Sequence, residues 1–413
     1  MKVSSIKYLV ISKWINISFC LSLLFMCVNN DIIAQENIKI RIDPSRAMGN
    51  SISDLFNEVL YTPLETTKES LFGRIDQLLV SKNYFFILDY DTNSIFIFFK
   101  NGKFHTKISG GSVNKSESPI GIRSFQIDTL RSEVFFKFGK SKELVYNFDG
   151  AKIREVDVEE YKFKYQFSPA DAVYSSFFRS KQPELTSNEL VWRTDGRVIQ
   201  RALPYSYNDS ILSANDIINQ STSSFYPTDK IGIVAFTRPY DYTIYLLDAN
   251  SIISTYSLVL PIDISLPTDF RTSRSYYGKR FNYVIREKPK LVHSINSIFI
   301  VGTNLFFKLT SSTNDYSNQL MYNFRSSTLY SIYHIDPDHL NYFLPTKSLV
   351  QTGILAASEQ KIYSSISAID LFKSYEQMRN KNIQYSQSLN VFFSSGTRMD
   401  NPVMITLTLK NAD

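Results

Sequence analysis

The densest set of potential ligands in this 413-residue chain is the run His334-Ile-Asp-Pro-Asp-His339. Two imidazoles and two carboxylates so close together could hold a divalent cation. Asp336-Pro337 is equally a turn signal, because aspartate bonds nearby backbone amides and proline fixes φ. The spacing suits the turn better, and no metal site is expected. Asp89-Tyr-Asp91 is a second carboxylate pair, able in principle to do acid–base work or bind a cation. It follows an apolar run and precedes Thr92-Asn93, so a hairpin turn held by aspartate side chains is the expectation. No Gly-x-Ser-x-Gly elbow and no phosphate-cradling glycine loop occur in the sequence. No catalytic residue can be assigned and no cofactor is implied.

One segment has the composition of a binding loop. Arg271 to Arg286 reads RTSRSYYGKRFNYVIR. It is basic and aromatic, and it falls between strand-like runs. A loop of that make-up on a rigid scaffold suits ligand recognition. The candidate ligand-binding residues are Arg271, Arg274, Tyr276, Tyr277, Lys279 and Arg280. A lid covering a blade edge would use the same composition.

The elements that must carry these residues repeat. Five times an aromatic-rich apolar run stops at a short polar turn and resumes as a second strand-like run. The turns are Asn101-Gly102, Asp149-Gly150, Asp195-Gly196, Asp248-Ala-Asn250 and Arg325-Ser-Ser327. Asn-Gly and Asp-Gly between such runs are strong hairpin signals. Gly102, Gly150 and Gly196 fall 48 and 46 residues apart, the period of a four-stranded propeller blade. Runs such as Tyr84–Leu88 and Ile95–Phe99 are apolar on both faces. A half-exposed antiparallel strand would alternate, so both faces must be covered, as they are between neighbouring blades.

The expected fold is therefore all-β: a six-bladed β-propeller of four-stranded antiparallel blades, with one short C-terminal helix. Five units span about 72–109, 120–158, 161–204, 222–260 and 291–335. Residues 345–409 form the sixth, with a helix Ala368–Arg379 capped by Ser367. A strand such as Ile38–Ile42, where apolar and polar residues alternate, would complete that sixth blade and bury both ends of the fold. His105, His293 and His334 lie in three units. Nothing in the strand pattern brings them together.

Residues 1–34 read as a signal peptide and 35–413 as a single propeller domain. Lys2, Lys7 and Lys13 precede a 14-residue apolar stretch, Ile15 to Val28, too short to span a bilayer comfortably. Cleavage after Ala34 competes with lipidation at Cys27, which follows Leu24-Phe25-Met26 in a lipobox-like run. Cys20 and Cys27 are the only cysteines, so the domain holds no disulfide. Beyond residue 34 there are 42 cationic and 38 anionic side chains. The cations are scattered, and no nucleic-acid stripe appears.

Leu60-Tyr-Thr-Pro-Leu-Glu-Thr-Thr67, Leu71-Phe-Gly-Arg-Ile75, Phe86-Ile-Leu-Asp89 and Phe98-Phe-Lys-Asn-Gly-Lys103 together resemble the opening of a family of secreted six-bladed β-propellers, NHL/TolB-like, of Gram-negative gut anaerobes. Asp400-Asn-Pro-Val403 resembles that family's closing signature. The family often carries a Gly-Pro-Gly-Glu-like loop after the first blade. Here Gly110 to Pro119 reads GGSVNKSESP, a departure. The resemblance implies an exported protein of the periplasm or outer-membrane surface, with no catalytic residues to carry over. The expectation is a monomeric, non-catalytic scaffold that binds an envelope protein, peptide or glycan. It would touch the membrane only through a lipid on Cys27. The competing class is a hydrolase or lyase acting on glycan or peptide in the central funnel.

Overall fold

The computed structural model describes residues 36–110, 121–139, 142–158, 163–175, 187–205, 216, 224–313, 319–347 and 353–410. The leader, Cys27 and Ala34 lie outside the described residues, as does the Gly110 to Pro119 loop beyond Gly110. Contacts divide the chain into Met1–Glu36 and Asn37–Asp413. The second unit carries six sheets, each built from a meander of four antiparallel strands.

Blade one is Gln77–Val80, Tyr84–Asp89, Ser94–Phe99 and Phe104–Ser109. Blade two is Gln126–Asp128, Glu133–Phe138, Lys142–Asn147 and Lys152–Asp157. Blade three is Phe163–Gln166, Asp171–Ser175, Ser187–Thr194 and Arg197–Tyr205. Blade four is Phe225–Pro227, Val234–Phe236, Thr243–Leu247 and Ile252–Val259. Blade five is Ser294–Val301, Asn304–Thr310, Gln319–Asn323 and Thr328–Asp336. Blade six is Ala356–Ser358, Lys361–Ile366, Val403–Leu409 and Phe56–Pro63. First strands of neighbouring blades touch one another, which places them innermost.

The doubly apolar runs are explained by what each face meets. Phe86, Leu88, Ile95 and Ile97 pack against Phe125, Val134 and Phe136 of blade two. Their sequence neighbours Phe85, Ile87, Phe96 and Phe98 pack the other way, against Ala356, Tyr363 and Met404 of blade six. Alternation along a strand thus divides one apolar run between two inter-blade cores. Fully burying each such side chain contributes about 1.5–3 kcal/mol, so these cores supply the drive for ring closure.

The ring closes differently from the expectation. Blade six is completed by Phe56–Pro63, antiparallel to Val403–Leu409 with Leu407 opposite Val59. Ile38–Ile42 does not serve. Glu36–Arg41 instead lies beside Ile252–Val259 as a fifth strand on blade four. Met48–Ser51 pairs parallel to Thr328–Asp336 as a fifth strand on blade five. Burial gives the reason. Phe56, Val59 and Tyr61 all enter the core cluster shared by blades five and six, whereas Glu36–Arg41 buries only Ile40. One apolar face suits a strand laid on an outer edge.

The helix Ala368–Met378 forms as expected, with the Ser367 side chain accepting from the Asp370 amide. A second helix, Gln387–Ser395, follows it. Leu389 and Phe392 join Leu371 and Phe372 in one cluster. Both helices occupy the connection between the second and third strands of blade six. In a meander, such connections share one end of the ring with the blade-to-blade connectors, while the tight Asn-Gly and Asp-Gly turns lie at the other end. Hydrogen bonds between connections agree: Ile122 N–H donates to Asn93 Oδ1 at 2.7 Å, and Tyr240 N–H donates to the His293 carbonyl at 3.0 Å. Among the described residues the long insertions therefore share one face, called here the long-loop face.

Candidate functional site

The basic, aromatic segment Arg271–Arg286 lies in the connector from blade four to blade five, on the long-loop face. It is a small packed unit. Phe270, Val284, Leu266, Leu291 and Tyr240 form its core, with Tyr276 and Tyr283 against them. Short helical turns run over Arg274–Tyr276, Arg280–Asn282 and Tyr283–Glu287, the last a π-type turn. The Phe270 ring lies 4.6 Å from Tyr276 and 5.3 Å from Tyr283, centroid to centroid.

Two of the six sequence-derived candidates hold this unit in place. Arg280 has no exposed surface. Its guanidinium donates to the carbonyls of Phe270 at 2.8 Å, Ser273 at 2.8 Å and Arg271 at 3.3 Å, and it meets Asp216 at 3.4 Å. Asp216 also accepts from the backbone amides of Gly278 and Arg280. Arg271 donates to Glu189 on blade three and to the Pro239 carbonyl. Glu189 also faces Arg238 at 3.5 Å, and Arg238 pairs with Asp241, which accepts from the Tyr245 hydroxyl at 2.9 Å. Burial alone would raise the Asp241 carboxyl, but Arg238 and Arg271 beside it hold it below the usual carboxylate range. Arg271 and Arg280 are thus internal fasteners, each facing a buried acid.

The other four candidates reach the surface. Arg274 and Lys279 are exposed, and Tyr276 and Tyr277 are half-buried. The structure adds members that the sequence reading passed over: Phe281, which is 42% exposed, and the exposed Arg286, Lys288 and Lys290. Among the described residues, Lys279, Arg286, Lys288 and Lys290 make no ion pair. The nearest acid in sequence, Glu287, accepts from the Asn282 amide at 2.9 Å. The arrangement is a cationic lip with an aromatic side chain in it, set on a rigid base. Arg286 closes the basic segment already read from sequence, and continuing the basic count past it would have flagged Lys288 and Lys290. Nothing in it could have marked Arg280 as buried, because its acid stands 64 residues earlier.

The remaining candidate chemistry resolves into structure. Asp338 caps the short turn His339–Asn341 and accepts from the Ser53 amide at 2.8 Å, so the histidine–aspartate run is the end of the strand Thr328–Asp336 passing into a capped turn. Asp89 is fully buried and accepts from the Thr92 amide at 3.1 Å, again a turn. His105 pairs with Asp149 at 2.9 Å and stacks near Tyr84 and Phe99. His293 is buried. Among the described residues, no three His, Cys, Asp or Glu side chains are grouped to hold a metal ion. Nor is any helix there long and apolar enough to cross a membrane.

Against solved structures, the chain is similar to an exported protein of Bacteroides fragilis, so described, with a TM-score of 0.63 at 15% identity over 91% of this chain and 100% of that one. That likeness shows the fold. A member of the DUF4221 family from Bacteroides vulgatus aligns with a TM-score of 0.44 and 11% identity over 87% of this chain and 98% of the other. No curated protein matches the sequence. The model of one family, described as a domain of unknown function, DUF4934, matches residues 39–408. That span takes in all six blades and the cationic lip, and the chain belongs to the DUF4934 family.

Proposed function

We propose that this chain is an exported, non-catalytic binding propeller of the cell envelope, and that its long-loop face takes an acidic glycan at the 271–290 lip. One observation carries the reading. The buried arginines of the insert all face carboxylates or carbonyls, while Lys279, Arg286, Lys288 and Lys290 stand exposed and make no ion pair among the described residues. Unneutralised cations on a preorganised base favour an anionic partner, because little ordering cost remains at binding. Phe281 and the half-buried Tyr276 and Tyr277 supply faces on which sugar rings stack. The same reading places the mature chain in the periplasm or on the outer-membrane surface, as a monomer of NHL/TolB-like kinship. The leader composition supports that placement, and Cys27 against Ala34 decides how the chain is held there.

The test compares retention on immobilised polygalacturonate, poly-glutamate and neutral dextran. Polygalacturonate should retain the protein in a salt-sensitive way, and the triple variant Lys279→Ser, Arg286→Ser, Lys288→Ser should bind about tenfold more weakly, given a few tenths to one kcal/mol per exposed charge. Equal retention on dextran would end the reading. Stronger binding to poly-glutamate would turn it toward an acidic peptide.

A further inference from the structure

Beside the base of the insert, on the same face, lies a groove of about 500 Å³. Its walls come from four separate stretches: Asp43 to Ser45, the segment that joins the two fifth strands; Pro261 to Ile264, leaving blade four; Lys290 to Val292, entering blade five; and Ser311 with Thr313. That volume falls within the roughly 300–1,000 Å³ of small-molecule sites. Pro44, Pro261, Ile264 and Val292 give it apolar surface.

Its polar groups fall into two kinds. Asp43 is already engaged, accepting from Ser45 N–H and Oγ and facing Arg46 at 3.3 Å. Ser311 and Thr313 hydroxyls bond each other at 2.8 Å. Asp263 and Lys290 differ. Both line the groove and both are exposed, yet neither bonds the other or any other side chain among the described residues. A cation and an anion in one concavity, each unpaired, are complementary to a molecule carrying both charges at a distance.

We infer that this groove is a site for a short zwitterionic peptide, its ammonium at Asp263 and its carboxylate at Lys290. The apolar surface would take its side chains. Other charged ligands fit less well. No aromatic ring lines the groove, so it lacks the faces that hold quaternary ammonium groups or stack sugars. The groove shares Lys290 with the lip, whereas Asp263 takes no part in it, so Asp263 separates the two readings.

Calorimetric titration of the full exported chain with dialanine, N-acetyl-dialanine and dialanine amide tests this. Dialanine should bind saturably, and loss of either terminal charge should weaken it about tenfold, in line with a charge-assisted contact. Asp263→Asn should weaken dialanine to the level of its acetylated form, and Lys290→Met should weaken it to the level of the amide. Polygalacturonate retention should survive Asp263→Asn, which separates failure here from failure of the glycan reading. Absence of saturable dialanine binding, equal binding of the three probes to the unaltered protein, or an unchanged affinity in Asp263→Asn would each overturn the assignment.

Discussion

Gln77 and Phe125 exchange two hydrogen bonds across a blade boundary. The Gln77 side-chain amide donates to the Phe125 carbonyl at 3.0 Å and accepts from the Phe125 N–H at 3.0 Å. Gln126 repeats the arrangement one blade on, donating to the Lys164 carbonyl and accepting from the Gln166 N–H at 3.1 Å. Each glutamine opens the innermost strand of its blade. A primary amide offers the same donor–acceptor pair as a peptide unit, so it joins two sheets whose backbones do not pair.

Replacing Gln77 by leucine removes both bonds and strands the Phe125 backbone groups. The expected loss is about 2–3 kcal/mol, the cost of part-buried polar groups left unmatched. Urea unfolding followed by fluorescence reads it as a lowered midpoint. An unchanged midpoint would mean that water replaces the amide freely.

Gly102 and Gly196 close equivalent turns with φ of +84° and +76°. A Cβ on Gly102 would fall 2.1 Å from the Pro63 carbonyl oxygen, whereas Gly196 has open space. Gly196→Ala should therefore cost only the strain of a left-handed backbone, about 1 kcal/mol. Gly102→Ala adds a clash with the strand that completes blade six and should cost at least about 3 kcal/mol. Thermal unfolding of the two variants side by side checks the ranking.

The turns and apolar runs made the blades legible from sequence, because hairpin chemistry and double-sided apolarity are local properties. Which strand closes the ring was not. Ile38, Ile40 and Ile42 alternate more cleanly than Phe56 to Pro63, yet the choice rests on which side chains fill the core between blades five and six. The lip was found by composition, while the inward turn of Arg271 and Arg280 depends on Glu189 and Asp216, acids remote in sequence. The helix Gln387–Ser395 escaped notice because its apolar residues become a face only against Leu371 and Phe372.

Arg280→Met leaves the Asp216 carboxylate buried without its cation. About 3–5 kcal/mol should be lost, and the insert should become sensitive to protease. The double variant Arg280→Met, Asp216→Leu should recover part of the loss, a coupling that calorimetry of the two single variants and the double measures.

Burial pushes the His293 imidazole down to about 4 from its ordinary 6.5. The unfolded chain then binds a proton that the folded chain refuses, so stability is complete above pH 6.5 and falls as pH drops toward 4. The part due to His293 approaches about 3 kcal/mol at the acid end. His293→Leu should flatten the fall of the denaturant midpoint between pH 6.5 and 4, so that the wild-type-minus-variant difference shrinks as pH drops through that window. An undiminished slope would assign the acid sensitivity to carboxylates.

The register that seals blade six sets Glu58 opposite Thr408, 350 residues apart. During synthesis or passage through a translocon, the earlier partner waits with one edge bare until nearly all the rest has emerged. Such long-range pairing is slow to form and exposed to mispairing meanwhile. Maturation of the domain is thus gated by arrival of its last strand, and a chain cut short before Val403 would leave an open, sticky crescent.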